Sequence, residues 1–440
     1  MAFSLHGIHI PHRKNTADTP AITMEKVAKV IIPMGMHIGA PAVPVVKVGD
    51  AVKKGTLIAE QNGFVSSPVY ASISGTVKEI SDKLQSDGRK VPAIVIEADG
   101  ENLVEESVAP PTVNSREELI EAIKKSGIVG LGGAGFPTFV KLSAEPEKIE
   151  ELIVNGAECE PYITSDSLTM TERAEDMAYA ISVLQKYLGI KKVIIGIESN
   201  KKRAIASMKK LAANNSAVKV ATLPAVYPQG GEKVLVYHTT GKVIPVGKLP
   251  LDVGSVVINC TTLAVIGSYL KTGMPLIEKC ITVDGSAVNE PKNVIVPIGA
   301  SMADVFEFAG GFKEEPKKVI YGGPMMGISV TDLDAPILKN TNAILAFNEK
   351  DATLPKETSC IRCGACYNNC PFGISPVAIE KAYKTADTVA MDEAGAEACM
   401  ECGCCSYVCP AHRPLVQTNK LAKAMLKEAR SKEKAKEDEK

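Results

Sequence analysis

The 440-residue sequence lacks an excess of charge, a long hydrophobic run and, over most of its length, cysteine. Lysine and arginine number 50 and aspartate and glutamate 51, which excludes the strongly basic field of a nucleic-acid-binding protein. Two uncharged stretches, residues 30–46 and 253–270, are interrupted by prolines, glycines or polar residues and fall short of the roughly 20 apolar residues of a membrane span. The length and the 45% hydrophobic content predict a globular protein of about three domains.

The amino-terminal stretch lacks the apolar core of a secretory signal peptide. Residues 1–14 carry three histidines and two basic residues instead. We therefore expect a protein located in the cytoplasm.

Cysteine is concentrated in one segment, with nine of the 12 cysteines in residues 360–409. A disulfide scaffold would spread its bridges over a small secreted domain, so this clustering predicts metal ligation. Two runs have the spacing C-x2-C-x2-C-x3-C-P, which is typical of two-cluster ferredoxins in which the fourth cysteine of each run ligates the other cluster. We predict two 4Fe-4S clusters, one held by Cys360, Cys363, Cys366 and Cys409 and the other by Cys399, Cys402, Cys405 and Cys370.

Structural zinc is the alternative, because zinc sites commonly use two C-x2-C pairs. Zinc has no use for the third cysteine of each run or for the two Cys-Pro pairs. Cys404 is surplus to eight ligands and is predicted to be a packing residue, as are Cys159, Cys260 and Cys280. Iron-sulfur clusters conduct single electrons, so another part of the chain is expected to exchange electron pairs.

Residues 33–99 contain short β-rich runs separated by glycine and proline, a pattern typical of a small β barrel or sandwich. The phrases GDAVKKGTLIAE and ASISGTV resemble biotinyl and lipoyl carrier domains. Such carriers present a modifiable lysine between these phrases, whereas residues 61–74 contain none. The resemblance therefore covers the architecture and leaves a swinging-arm function unsupported.

The central part of the chain alternates strands and helices. A helix is predicted over residues 115–126, with Ser115 and Glu118 as a capping box and Gly127 after its end. The later runs ELIVNG, KKVIIGIES, AVKVATLP and SVVIN predict strands of a largely parallel sheet that binds ligands at their carboxyl ends. Residues 280–317 resemble soluble-ligand-binding β-grasp modules, and residues 325–358 are predicted to be a linker with return strands.

A glycine-rich loop follows the predicted helix, with five glycines in residues 127–135 and Lys141 six positions later. The formal match of Gly130, Gly132 and Gly135 to GxGxxG is weak, because a helix precedes it where the dinucleotide fingerprint requires a strand. Bare backbone amides at the start of a helix suit phosphate, and a lysine adds a point charge. We expect a phosphate or nucleotide site, with a tightly packed loop as the alternative.

The segment NGAECEP, which ends a predicted strand, has two carboxylates two residues apart. On its own it fits a ligand site and a solvated turn equally well. Together with GLGGAGFPTFVKL, however, it resembles the flavin-binding signature of the NADH-oxidising flavoprotein subunit of respiratory complex I. With the barrel in front and two ferredoxin motifs behind, the chain resembles the family of C subunits of the Rnf complex, a membrane-bound ferredoxin:NAD oxidoreductase, as does its opening GIHIPHRKNTADTPAI.

The resemblance implies that noncovalent FMN and NAD(H) bind to the central domain. It assigns cofactor binding to Gly130, Gly132, Gly133, Ala134, Gly135, Lys141, Asn155, Tyr227, Gly230, Asn259 and Thr262. It assigns the acidic catalytic positions near the flavin and the nicotinamide to Glu158, Glu160 and Glu232. The sequence departs from the complex I pattern at Ala157, where that family has an aspartate, and at Gly231, where it has a second glutamate.

The function implied is that of a peripheral subunit on the cytoplasmic face of the membrane, whose partners are other subunits of an electron-transport complex. It would exchange hydride with NAD(H) at FMN and pass single electrons through the clusters, while partner subunits translocate ions. Hydride transfer needs no side-chain base, so no histidine is assigned to catalysis. The alternatives are a soluble cobalamin reductase, in which the glycine loop would begin the chain, and a non-catalytic electron-wiring or docking subunit.

We therefore expect a multidomain α/β chain built from four modules and a tail. These are an N-terminal carrier-like β barrel-sandwich (residues 1–110), a central open α/β FMN- and NADH-binding domain (111–275), a β-grasp module with its return segment (276–348), a C-terminal two-cluster ferredoxin-like α domain (349–425) and a charged tail (426–440).

Overall fold

The short strands of the amino-terminal part form two small antiparallel sheets, as their spacing predicts. The computed structural model describes residues 7–85 and 88–438, so residues 1–6 of the histidine-containing stretch and the last two residues of the charged tail lie outside it. The sheets have the orders β2-β8-β7-β4 and β3-β5-β6 and share a core that includes Ile32, Ile58 and Ile94. Their strands are β2 (Lys29–Pro33), β3 (Val43–Pro44), β4 (Ala51–Val52), β5 (Leu57–Glu60), β6 (Val69–Tyr70), β7 (Gly75–Leu84) and β8 (Lys90–Ala98), and a separate strand, β1 (Ala21–Thr23), precedes them.

The central domain is a four-stranded parallel sheet of order β11-β10-β9-β12. Every residue of β10 is buried, which explains its continuous apolar run. The elements are α1 (Arg116–Lys125), α2 (Thr138–Leu142), a 3-10 turn (Pro146–Lys148), β9 (Glu151–Gly156), α3 (Ser165–Glu172), α4 (Ala174–Leu188), β10 (Val193–Glu198), α5 (Lys202–Ala213), β11 (Val218–Leu223), α6 (Glu232–Thr240), a 3-10 turn (Pro250–Val253), β12 (Ser255–Asn259) and α7 (Cys260–Thr272).

The helix predicted before the glycine loop is α1, and Ser115 caps it as predicted, whereas Glu118 bonds to the residue before the cap and not to Ser115 itself. The Ser115 side chain accepts the N–H of Glu118, and the Glu118 carboxylate accepts the N–H of Asn114 at 2.6 Å. The stretch 253–270 forms β12 and most of α7.

The β-grasp module carries a six-stranded mixed sheet of order β1-β14-β13-β17-β15-β16. Its elements are β13 (Glu278–Asp284), β14 (Lys292–Pro297), α8 (Met302–Phe308), β15 (Lys318–Tyr321), β16 (Ile328–Val330) and β17 (Ala343–Phe347). Strand β1 pairs in parallel with β14, so the residues before the barrel belong to this sheet.

The cysteine-rich part is helical, as expected of a ferredoxin-like domain. Its elements are α9 (Glu349–Ala352), α10 (Ala365–Asn368), α11 (Pro376–Lys384), α12 (Thr388–Glu393), a 3-10 turn (Ala396–Ala398), α13 (Cys404–Tyr407) and α14 (Leu415–Asp438). Most of the charged tail therefore continues helix α14. Among the described residues, no helix combines the length and the apolar character that crossing a bilayer requires.

Candidate functional site

The glycine loop between α1 and α2 is closed by its own backbone. Gly130 donates its N–H to the carbonyl of Phe136 at 2.8 Å, and Gly135 donates to the carbonyl of Gly130 at 3.1 Å. Gly133 and Gly135 have φ of +124° and +67°, which side chains with a Cβ rarely adopt. A Cβ on Gly132 would lie 3.0 Å from Nδ2 of Asn259, so the loop backbone passes close to the end of β12.

The barrel and the β-grasp module brace this loop from behind. Ile38 of the barrel donates its N–H to the carbonyl of Gly135 at 3.0 Å. Lys339, which is 1% exposed, donates from Nζ to the carbonyls of Pro68 at 2.7 Å and Gly127 at 2.8 Å. Burial lowers the pKa of Lys339 to about 7. The carrier-like barrel thus acts here as a support for the loop.

Asn259 and Thr262 are positioned by the start of α7. Asn259 caps this helix by accepting the N–H of Thr262 at 3.1 Å, and its Nδ2 donates to Asp166 at 2.7 Å. The Thr262 hydroxyl in turn accepts the N–H of Leu131 in the glycine loop at 2.9 Å. Asp166, which the sequence analysis did not single out, orients Asn259; its position in the first turn of α3 after NGAECEP was the available clue.

Asn155, at the carboxyl end of β9, ties two loops together. Its Nδ2 donates to the carbonyl of Gly230 at 2.9 Å, and its Oδ1 accepts the N–H of Ala157 at 3.1 Å. The Cys159 sulfur accepts the N–H of Gly230 at 3.2 Å, so this buried thiol packs against the same loop.

Lys141 and Glu232 face each other across the site. Their Nζ and Oε1 atoms lie 2.8 Å apart, and Lys141 also donates to the carbonyl of Val257 at 3.2 Å. The two side chains are 33% and 40% exposed, so the pair is open to solvent and to ligands.

Glu158 and Glu160 occupy different environments although they are two residues apart. Glu158 accepts the N–H of Asp166 at 2.7 Å and lies 3.4 Å from Nζ of Lys201. Burial raises the pKa of Glu158, against the opposing charges of Lys201 and Lys14.

Glu160 is bound by a turn of the β-grasp module. Its two oxygens accept the N–H groups of Met325 at 3.0 Å and Met326 at 2.9 Å. Burial raises the pKa of Glu160 to about 7, against these two hydrogen bonds. A Cβ on Gly323 would lie 2.3 Å from Oε2 of Glu160, so any larger residue there would displace this carboxylate or the turn.

The amino-terminal arm, residues 7–19, packs under the acidic loop. Nζ of Lys14 donates to the carbonyls of Glu158 at 2.9 Å, Glu160 at 2.7 Å and Ile163 at 2.5 Å. Ile8 exchanges two backbone hydrogen bonds with Tyr227. The opening motif therefore holds both loops that border the site.

The glycine loop, the carboxyl ends of β9 and β12 and the start of α6 surround one cavity of about 590 Å³, a volume typical of small-molecule and cofactor sites. It is lined by every predicted cofactor-binding and acidic residue except Gly135, whose neighbour Phe136 lines it instead. The β-grasp module supplies a wall that the sequence analysis treated as strand and linker: Tyr321, Gly322, Gly323, Met326, Gly327, Ile328, Asn340, Thr341 and Asn342. The pattern GGPMMG was the available clue to this wall.

The two cysteine runs turn in the same way. Arg362 and Glu401, at matching positions, have φ of 58° and 61°, and the following Gly364 and Gly403 have φ of 75° and 83°. The fourth cysteines are exchanged between the runs. One cavity of about 180 Å³ is lined by Cys360, Cys363, Cys366 and Cys409, and a second, smaller one by Cys370, Cys399, Cys402 and Cys405, with Cys404 beside them.

Each cavity is lined by all four cysteines of one predicted set, as crossed ligation of two clusters requires. In the part of the chain that the structure describes, no three or more His, Cys, Asp or Glu side chains converge on a single-ion site. The first set is the more accessible one, with Cys360 and Cys363 exposed, whereas all four cysteines of the second set are buried.

The large cavity and the second cysteine set share a wall. Met400 lines both, and a Cβ on Gly231 would lie 2.3 Å from its methyl group. The hydroxyl of Tyr227 donates to the carbonyl of Cys402 at 2.7 Å. The buried cysteine set is therefore the one next to the cavity.

Four family models match successive parts of the chain. They describe an RnfC barrel sandwich hybrid domain (residues 3–101), a Nuo51 FMN-binding domain (123–268), an SLBB domain (280–329) and a 4Fe-4S dicluster domain (354–410). FMN and iron-sulfur clusters are thus the cofactors of this chain, and its mixed α/β architecture is the predicted one.

Three relatives align over most of the chain. The C subunit of the proton-translocating ferredoxin:NAD(+) oxidoreductase complex of Clostridium ljungdahlii is 45% identical over 84% of this chain and 82% of its own. The C subunit of the Na(+)-translocating complex of Acetobacterium woodii is 42% identical over 85% of each chain. The C subunit of the ion-translocating oxidoreductase complex of Rhodobacter capsulatus is 38% identical over 98% of this chain and 84% of its own.

A solved structure shares the fold at low identity. An NAD+-reducing [NiFe]-hydrogenase in the H2-reduced state superimposes with a TM-score of 0.50 and 19% identity, over 72% of this chain and 64% of that one. The aligned relatives and the four matching domains establish that the chain belongs to the RnfC family, the C subunits of Rnf-type ion-translocating ferredoxin:NAD oxidoreductase complexes.

Proposed function

We propose that this chain exchanges hydride with NAD(H) at FMN in the 590 Å³ cavity and passes the electrons singly through two 4Fe-4S clusters. Bound FMN accepts an electron pair as hydride and returns it one electron at a time, which is what couples a nicotinamide to clusters. The chain would work at the cytoplasmic face of the membrane, beside partner subunits that translocate ions.

The residues that line the cavity fit FMN. The backbone of Gly130 and of residues 132–135 would cradle FMN. This backbone passes so close to Asn259 that a Cβ at Gly132 would press against it. Lys141 would supply positive charge to the phosphate, exchanging its bond to Glu232 for that contact. The side chains of Asn155, Asn259 and Thr262, with Tyr227 and Gly230, would border the flavin ring.

The acidic residues would set the position of the nicotinamide. Glu158, Glu160 and Glu232 all line the cavity, and Glu160 is fixed by two backbone N–H groups. Because a fixed side chain keeps its geometry during the reaction, Glu160 would orient the bound dinucleotide without itself transferring a proton.

The observation that carries the proposal is the wall shared by the cavity and the buried cysteine set. Cys370, Cys399, Cys402 and Cys405 would hold the cluster that receives electrons from the cavity. Cys360, Cys363, Cys366 and Cys409 would hold the second cluster, and the exposure of Cys360 and Cys363 supports electron transfer from it to a partner subunit. A docking protein without catalysis would not need this adjacency.

An anaerobic absorption spectrum of the cofactor-reconstituted chain, taken before and after NADH is added, tests the proposal. We expect NADH to bleach the flavin band and then the cluster band. A Gly132→Val variant should lose FMN and its response to NADH, because its side chain would press against Asn259 and displace the residues proposed to hold FMN. Its clusters should still be bleached by dithionite, which controls for folding. Wild-type protein that binds FMN without being bleached by NADH would refute the catalytic function.

A further inference from the structure

Behind the acidic wall of the cavity lies a buried cluster of two carboxylates and two ammonium groups that the proposed function leaves unused. Glu158 lines the cavity and is 6% exposed. Lys201, which is 7% exposed, lies 3.4 Å from the Glu158 carboxylate. Glu198 and Lys14 complete the cluster, because both interact electrostatically with Glu158 and Lys201.

Glu198 is the unusual member of this cluster. It is the last residue of β10, is 0% exposed, and neither of its carboxylate oxygens has a hydrogen-bond partner among the residues that the structure describes. The charged groups facing it are Lys201, Lys14 and Glu158, and the Cys159 thiol lies near it. A buried carboxylate without a hydrogen-bond donor is costly while ionised, and burial raises the pKa of Glu198 to about 7.

The chemistry of the site leaves a proton unaccounted for. Oxidation of NADH gives NAD+, one proton and two electrons, and the clusters take only the electrons. A hydride that enters the cavity adds one net negative charge. A like charge nearby raises the pKa of a carboxylic acid, and by reciprocity a proton taken up there stabilises the added electrons.

We propose that Glu198 is a redox-linked proton site, an inference that rests on the proposed function. When hydride enters the cavity, an O–H bond forms on the Glu198 carboxylate with a proton from solvent. When the two electrons leave for the clusters, that bond breaks. The Glu198 proton and the proton of the hydride then both return to solvent, so each NADH still yields one NAD+, one proton and two electrons. Glu198 does not line the cavity and acts through Glu158, which does and which interacts electrostatically with it.

The midpoint potential of bound FMN, titrated against pH from 5.5 to 8.5 on the fully reconstituted chain, tests this role. We expect the wild-type slope to change near pH 7, and Glu198→Gln to lose that change. Glu175→Gln, at an exposed glutamate of α4, should keep the wild-type profile. Coinciding profiles of wild type and Glu198→Gln would overturn the inference. The inference would also be overturned if the change of slope disappeared in Glu160→Gln and persisted in Glu198→Gln. Glu160 would then be the proton site, since burial raises its pKa to about 7 as well.

A second measurement does not depend on how well a variant folds. Redox-difference infrared spectra of the wild-type chain should show the carbonyl stretch of a carboxylic acid that forms on reduction. Absence of this band would overturn the inference even if Glu198→Gln lost FMN. A chain that bound no FMN, or whose FMN was not reduced by NADH, would refute the proposed function. FMN that titrates normally without the band would refute only the role of Glu198.

Discussion

The hydroxyl of Tyr227 donates a hydrogen bond to the backbone carbonyl of Cys402 at 2.7 Å, across 175 residues of sequence. Tyr227 lines the cavity and is 1% exposed, and Cys402 belongs to the buried cysteine set. Tyr227 and Cys402 also belong to one cluster of buried apolar residues, which includes Ile8 of the amino-terminal arm and has Met325 of the β-grasp module packed against it. Four separate parts of the chain therefore meet where the cavity approaches the cluster.

Tyr227→Phe should slow electron transfer from FMN to the adjacent cluster more than it slows the reduction of FMN by NADH, because the aromatic ring that lines the cavity is kept and only the hydroxyl is lost. The change leaves the buried carbonyl of Cys402 without its donor, at a cost of about 1–3 kcal/mol. Stopped-flow absorbance separates the flavin and cluster phases. Tyr407→Phe, at a 51% exposed tyrosine of the same domain, is the matched control. Equal cluster phases in the two variants would contradict the prediction.

Cys370→Ala should damage the cluster next to the cavity, although Cys370 belongs to the other run in sequence. Cys409→Ala should damage the exposed cluster, because each fourth cysteine lines the cavity of the opposite run. Iron content and electron paramagnetic resonance of the reduced chain distinguish the two losses. Cys404→Ala should keep both clusters, since this residue packs beside the ligands. Loss of the exposed cluster in Cys370→Ala, or of the cluster next to the cavity in Cys409→Ala, would refute crossed ligation.

Gly323→Ala should weaken dinucleotide-dependent reduction of FMN. The new Cβ would lie 2.3 Å from the Glu160 carboxylate, so that side chain or the turn that binds it must move. We expect at least a several-fold fall in the rate of flavin bleaching by NADH, with cluster absorbance retained. Gly35→Ala, whose Cβ would meet Val91 at an ordinary 3.7 Å, is the control. An unchanged rate would show that the Glu160 geometry does not matter for the reaction.

His37 should make the contact between the barrel and the glycine loop sensitive to acid. Its Nε2 accepts the N–H of Ser67 at 3.1 Å, and burial, with the nearby Lys339 charge, lowers its pKa to about 4. The unfolded chain, with the ordinary histidine pKa near 6.5, binds the proton first as the pH falls. The contribution of His37 to the free energy of unfolding should therefore decrease between about pH 6.5 and 4.

Thermal unfolding of the full chain at pH 7.5 and pH 5 measures this effect. His37→Gln should be less stable than wild type at pH 7.5 and should lose less stability on acidification. His9→Gln, at an exposed histidine, should follow the wild-type dependence. Identical pH dependence in all three proteins would exclude His37 as the acid-sensitive group.

The sequence by itself predicted the features whose physical cause is local. The capped helix α1, the alternating strands of the parallel sheet and the two cysteine runs follow from caps, periodicity and ligand spacing. The family resemblance placed Asn155, Asn259 and Thr262 together, and the structure puts all three on one cavity. Their roles toward FMN stay predictions.

The tertiary structure alone decided how these modules meet. No local pattern shows that Lys14 packs under a loop 144 residues away, that a β-grasp turn binds Glu160, or that the buried Glu198 carboxylate has no hydrogen-bond partner among the described residues. It also decided which cysteine set borders the cavity, because the two runs have the same spacing and only packing tells them apart. Contacts between distant segments depend on how the folded surfaces fit together. A sequence pattern carries information only about residues that are close to one another along the chain, such as helix caps and ligand spacings.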